Sequence, residues 1–195
     1  NAGVTASKTY DSLMTVDQTT SSNLANTIGF VPAVAGGTTG LISGDVANLS
    51  VGAIAGTYNN QNVVGASSIT ITSVTLSGSA AGNYRITGGT TTANAGQWTL
   101  ATGLSIAGAI TPKALTITAP TAVTKTYDGT TSLVSSNITI GTVSGLVEYA
   151  AGAFEILNIT ATGTLNNKNV TGATSATVNY TLANGLNAAH LASNY

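Results

Sequence analysis

The residues able to do chemistry here are few: five Lys and Arg, six Asp and Glu, one His and no Cys in 195 positions. One combination recurs. Lys8-Thr9-Tyr10-Asp11 is matched by Lys125-Thr126-Tyr127-Asp128, with Ser12 following the first and Gly129 the second. Asp before Gly is a turn arrangement in which the carboxylate accepts backbone hydrogen bonds and Gly takes a left-handed conformation. Tyr10 and Tyr127 could instead stack sugars beside Asp11 and Asp128. The turn reading is preferred, because nothing in the sequence exposes those rings. Ser12 in place of Gly implies a different turn in the first copy.

The other candidates carry less. Calcium takes six to eight oxygen ligands, usually including several carboxylates. Asp11, Asp17 and Asp45 could converge, but Asp128, Glu148 and Glu155 stand at different places, so solvated loop acids and no metal site are expected. His190 has no Cys partner for a zinc site and no nearby acid for a triad, and reads as a loop side chain. Lys8, Lys125 and the Asn-rich turns raise a Lys–Asn isopeptide crosslink. That reaction needs a buried acid, so ion-paired or exposed lysines and an intact mass without loss of ammonia are expected. Gly36-Gly37 and Gly88-Gly89 lack the Lys and following helix of a phosphate loop. Steps such as Thr70-Ile71-Thr72 and Thr116-Ile117-Thr118 make a ligand face only when repeated in register on neighbouring strands. The expectation is no enzyme, no catalytic residue and no cofactor. If a ligand is bound, Tyr58, Tyr84 and Trp98 are the contact candidates, with Trp98 more readily a core anchor.

These residues must be held by strands. Only 6% of residues are charged and the net charge is −1, while 43% are apolar. The polar share is Thr, Ser, Asn and Gly, which suit pleated strands and tight turns. The low net charge and ordinary apolar content argue against disorder. Scattered Lys and Arg offer no basic face, so nucleic acid is excluded as a partner. No run reaches the roughly 18 apolar residues of a membrane span, and no targeting segment opens the chain, which reads as a piece of something longer. The absence of Cys is compatible with export.

In chain order, residues 1–9 read as a strand and 17–26 as a polar loop. Ile28, Phe30 and Val31-Pro32 read as an edge strand closed by Gly36-Gly37. Ser43-Gly44-Asp45 signals a turn, and apolar residues from Val46 to Ile54 lead into a turn at Asn59-Asn60. Along 68–76, Ile69 and Ile71 fall on one parity and Val74 and Leu76 on the other. A bulge between Thr72 and Ser73 would put all four on one face. Trp98, Leu100, Leu104 and Ile106 alternate, but Gly103 and Gly108 predict two short strands. Residues 114–118 alternate as a half-buried strand, and the order then repeats through a second Asn turn at Asn166-Asn167 to a strand over 175–182. Short helical turns are expected near 188–192.

The matching landmarks make a tandem repeat. Tyr10 and Tyr127 lie 117 residues apart, Thr57 and Thr164 107, and Tyr84 and Tyr195 111, so the loops differ in length. Residues 85–110 have no second copy, and nothing precedes Lys8 to match 114–118. The second unit should therefore present an unpaired strand edge, which favours end-to-end association.

Lys-Thr-Tyr-Asp-Gly, Gly-Thr-Leu-Asn-Asn-Lys-Asn-Val, Asn-Tyr and Ile-Thr-Pro-Lys-Ala-Leu-Thr-Ile together resemble the YDG-type repeats of large bacterial surface proteins, including filamentous-haemagglutinin-like exoproteins and other adhesins. The resemblance spans nearly all of both units and implies compact β modules strung along an exported stalk, with no catalytic residues to carry over. The expected architecture is mostly β, with two tandem small modules of β-grasp-like or β-sandwich-like form in an elongated arrangement, residues 1–112 and 113–195. Tyr10, Asp11, Asn59, Asn60, Tyr127, Asp128, Gly129, Asn166 and Asn167 define the repeat structurally. The expected role is a stalk or spacer at the cell surface in adhesion or biofilm, its partners neighbouring repeats or copies of itself. The alternatives are a self-assembling extracellular filament subunit and a module binding surface glycans or a host protein.

Overall fold

The computed structural model describes residues 6–27, 40–86, 89–91 and 97–195. The edge strand expected at Ile28, Phe30, Val31 and Pro32, the closing Gly36-Gly37, and Gly88 lie outside them. The fold is mostly β, and the chain divides into two compact units, Asn1–Thr111 and Pro112–Tyr195.

In the first unit the strands among the described residues are β1 (Ala6–Thr9), β2 (Ser50–Tyr58), β3 (Ser68–Ser77), β4 (Gly89–Thr91) and β5 (Gln97–Thr111), with an α-helix α1 (Gln18–Thr27). They pair in the order β1-β5-β3-β2, with β4 added to β5. β1 runs parallel to the end of β5, and the other pairs are antiparallel. A helix packed on β1 and β2 makes this unit grasp-like rather than a sandwich.

The ladder slips at Thr72: Ala55 faces Ser73 and Gly56 faces Ile71, with Thr72 left over. That bulge returns the strand to a single inner face, with Ile69, Ile71 and Leu76 all buried. β5 is one strand of 15 residues, not two. Gly103 and Gly108 do not break it, and Gly108 serves close approach: a Cβ there would come within 2.5 Å of Ile69 Cγ1.

The helix is the larger departure, because Gln18 to Thr27 is made of weak helix formers and reads as a loop. Tertiary contacts override propensity. The Asp17 carboxylate accepts from the Thr20 N–H at 2.7 Å, an N-cap. Thr20 Oγ1 donates to Ser7 O at 3.1 Å, and Ser21 Oγ accepts from the Ile54 N–H at 2.9 Å. Leu24 and Ala25 bury the remainder of that face. The short hydroxyls therefore supply strand-edge partners that an apolar stripe would not.

The second unit contains β6 (Thr116–Ile117), β7 (Ala122–Val123), β8 (Ser132–Leu133), β9 (Ile138–Thr139), β10 (Val143–Ser144), β11 (Glu148–Ala150), β12 (Ala153–Phe154), β13 (Asn158–Leu165) and β14 (Ala176–Ala183). The strand expected over 114–118 shrinks to β6, two residues paired with β10. The main sheet is β14-β13-β8, with β14 at its edge. The β13–β14 register copies that of β2–β3: Leu165 faces Ala176 as Tyr58 faces Ile69, and Gly163 faces Val178 as Gly56 faces Ile71. Where the first unit has α1, the second has a 3-10 turn (Ser135–Asn137) and β9. Tyr10 and Thr57 are 47 positions apart in the first unit and Tyr127 and Thr164 are 37 apart in the second, which has less chain for a helix. The Ala161 N–H still reaches Ser135 Oγ, at 3.4 Å, as the Ile54 N–H reaches Ser21.

Asp17→Ala is expected to cost about 1 kcal/mol through loss of the cap, with Asp17→Asn close to wild type. Trp98 is the sole tryptophan and lies in the first unit, so the urea midpoint of its fluorescence measures the effect; equal behaviour of the two variants would rule out capping.

Candidate functional site

The recurring Lys-Thr-Tyr-Asp stretch forms the same hydrogen-bonded turn twice. Lys8 Nζ donates to Asp11 Oδ1 at 2.6 Å, Leu13 O at 2.7 Å and Thr15 O at 3.0 Å. Lys125 Nζ donates to Asp128 Oδ2 at 2.7 Å, Thr130 Oγ1 at 3.0 Å and Ser132 O at 2.8 Å. In each case all three ammonium donors are used. Each carboxylate also accepts the backbone N–H two residues on, from Leu13 and from Thr130. The Lys125 ammonium, helped by the Thr130 N–H, holds the Asp128 carboxyl down at about 2.

Ser12 adopts φ 62° and Gly129 φ 78°, so the turn does not differ between the copies, contrary to what Ser12 implies. Ser12 is the one non-glycine residue at positive φ among the described residues. A left-handed L-residue costs roughly 1–2 kcal/mol, which the Lys–Asp closure must offset.

The Asn turns repeat as well. Asn59 Oδ1 accepts from the Ser67 and Ser68 N–H groups at 2.9 and 3.0 Å, while its amide donates to Gly65 O and Ser67 Oγ. Asn166 makes the corresponding bonds with Thr174, Ser175 and Gly172. Asn60 and Asn167 each accept the N–H two residues on.

A third repeated device was not legible in the sequence beyond the Asn-Tyr landmark. Tyr84 OH donates to Asp45 Oδ2 at 2.7 Å and accepts from the Ile42 N–H. Tyr195 OH donates to Glu155 Oε2 at 2.8 Å and accepts from the Val147 N–H. Burial, together with the Glu155 carboxylate, pushes the Tyr195 hydroxyl up to about 12.

The ligand-contact candidates sit elsewhere than on an open face. Tyr58 is 1% exposed, its ring lying 5.4 Å from Lys8 Nζ as a cover over the buried ammonium. Tyr84 is half-buried in the clamp just described, and Trp98 packs against the core of Leu41, Leu49, Leu76 and Ala80. The motif tyrosines part company: Tyr10 is 1% exposed and Tyr127 61%.

The acids, expected as solvated loop groups, all accept hydrogen bonds within the chain, although Asp128 and Glu148 are exposed. Asp11 and Asp128 close turns, Asp17 caps α1, Asp45 and Glu155 hold tyrosines, and Glu148 accepts the Gly152 N–H within the β11–β12 hairpin. Glu155 is 2% exposed. Asp11, Asp17 and Asp45 thus have separate duties, and no group of three or more metal-ligating side chains gathers among the described residues. His190 stands in a loop, as expected, and is buried there: its Nδ1 accepts from the Ile156 N–H at 3.0 Å and its ring lies against Tyr149.

Two predictions test these devices. Ser12→Gly is expected to stabilise the first unit by up to about 1 kcal/mol and Gly129→Ser to destabilise the second by about as much, read from urea unfolding; shifts of the same sign would refute the shared left-handed turn. For Tyr195, the folded hydroxyl titrates above its ordinary 10.0, so its contribution is complete below pH 10 and is lost as pH rises through about 12. Thermal melts across that interval should show Tyr195→Phe less stable than wild type at neutral pH but with a shallower alkaline decline.

Residues 111–195 match the family model of the YDG domain. No curated protein and no solved structure matches the chain.

Proposed function

We propose, from the YDG domain at residues 111–195 and the matching turns of the first unit, that the chain is a pair of YDG-type modules serving as a stalk or spacer in an exported bacterial surface adhesin. The observation that carries this reading is the use of the acids. All six are hydrogen-bonded to this chain's own backbone or side chains, and the residues that repeat between the units are the ones that close turns. Selection on a ligand site would repeat exposed groups; here the repeated groups are spent internally. A spacer needs modules that hold their shape and stay soluble, and with 6% charged residues solubility comes from hydroxyl and amide groups. The module is non-enzymatic on this reading, and adhesion or binding to biofilm matrix belongs to other parts of the protein.

A glycan array probed with the 195-residue chain is expected to give no reproducible binding. Reproducible binding abolished by replacing the exposed Tyr127 or Tyr149 would defeat the spacer reading and favour a carbohydrate-binding module.

A further inference from the structure

Both units pass from a long strand to their Asn-Tyr step through a loop, and the second takes the longer path. Ile69 and Ala176 hold the same place in the register, so by the same count Gly78, after β3, corresponds to Gly185, after β14. Gly78 and Tyr84 are 6 positions apart and Gly185 and Tyr195 are 10 apart, so the second loop is 10 − 6 = 4 residues longer. Both glycines press on main chain, Gly78 on Asn48 O and Gly185 on Ile156 O. The first unit closes this corner with backbone alone: the Ala80 N–H donates to Asn48 O at 3.0 Å, and a 3-10 turn (Ala81–Asn83) leads to Tyr84. The fold therefore does not need the extra residues. In the second unit the longer loop carries the chain's sole histidine.

That loop is organised around His190. The Gly185 N–H donates to His190 O at 2.9 Å, and the His190 N–H donates to Asn187 O at 2.9 Å. Asn184 Oδ1 accepts from the Ala192 N–H at 2.9 Å. The imidazole is 5% exposed and lies 5.2 Å from the Tyr149 ring, centroid to centroid, with Nδ1 accepting the Ile156 N–H. A ring nitrogen accepts only when it carries no proton, so the neutral ring has its proton on Nε2. The charged and titratable groups around the loop come from three directions. Tyr149 belongs to β11 beside Glu148, whose carboxylate accepts the Gly152 N–H. Glu155 precedes Ile156 and is buried, with Tyr195 OH donating to its Oε2. Lys113 meets the loop's far end through its backbone N–H, which donates to Asn194 O at 2.9 Å.

We infer that His190 is a proton-operated latch, which holds the loop over residues 184–191 against Ile156 while the ring is neutral and releases it when the ring takes up a proton. Protonation at Nδ1 turns the acceptor into a donor aimed at another donor, so the Ile156 bond breaks. It also charges a ring enclosed by Tyr149 and backbone, where an unpaired charge is costly. Because the released state binds one more proton, the latch is complete at the alkaline end and is lost as pH falls. The first unit has no histidine and closes the corner through Ala80, so its loop does not respond. The inference rests on the geometry of this loop and not on the spacer reading, so either can fail alone.

The test is a titration of the full ¹⁵N-labelled chain from about pH 8 to 5, the interval in which an imidazole changes charge. With one histidine in the chain, the imidazole nitrogen signals identify themselves. At the alkaline end they are expected to show the Nε2–H tautomer. As the ring charges, the Ile156 and Gly185 amides should lose at least about fivefold in hydrogen-exchange protection after correction for intrinsic exchange, the equivalent of one net hydrogen bond. The loss should share its midpoint with the imidazole signals, and the Ala80 amide should keep its protection. His190→Asn places Oδ1, an acceptor that takes up no proton in this range, where Nδ1 stood, and should hold the Ile156 amide protected throughout. An Nδ1–H tautomer at pH 8 or unchanged protection in the wild type would overturn the inference. So would a midpoint apart from that of the ring, or the same loss in His190→Asn, either of which would assign the change to the Glu155 carboxylate. Should the variant not fold, the wild-type midpoints decide alone.

Discussion

An unpaired backbone N–H or C=O at a strand edge is the constraint on which both units turn. Burying such a group without a partner costs about 1–3 kcal/mol, comparable to a large share of the stability of a small domain. With few charges available, this chain meets the requirement with Ser, Thr and Asn side chains reaching neighbouring backbone. Ser21 takes the Ile54 N–H, Ser135 the Ala161 N–H, and Asn59 and Asn166 each take two adjacent N–H groups. The segment before α1 covers the rest of that edge of β2, through Val16 N–H to Gly56 O and Tyr58 N–H to Met14 O. In the second unit Leu165 N–H to Thr131 O does the same for β13.

The units diverge where packing, not backbone satisfaction, is at stake. The turn closed by Lys and Asp is the same in both, but the Lys8 side chain is wholly buried under Tyr58 while Lys125 remains 11% exposed, its counterpart cover being Leu165. Breaking a buried pair leaves a charge without a partner, whereas an exposed pair contributes little, so one motif carries different weights in its two settings. The difference follows from β5, which roofs the first unit's core; among the described residues β14 pairs only with β13.

Much of the strand content was legible because alternation and turn residues are local signals. The bulge at Thr72 could be inferred from the change of parity between Ile71 and Val74, and the Asn turns from their composition. The helix over 18–27 was not legible, since its stabilising partners, Ser7 and Ile54, lie 13 and 33 residues from Thr20 and Ser21. Nor was the continuity of β5 through Gly103 and Gly108: glycine reads as an interruption unless the neighbour it must clear is known. The roles of Asp45, Glu155 and His190 were hidden for the same reason, as their partners are distant in sequence, 39, 40 and 34 residues away.

By itself the sequence determined that the fold is mostly β, that the Lys-Thr-Tyr-Asp and Asn-Asn stretches recur, and which residues punctuate the strands, because spacing and residue type are properties of the chain alone. Only the tertiary structure decided that the Lys–Asp turn keeps a left-handed residue at Ser12 as at Gly129, and that Tyr10 is buried while Tyr127 is exposed. Those outcomes depend on what stands across the sheet, and two identical motifs separate as soon as one has a strand beside it and the other does not.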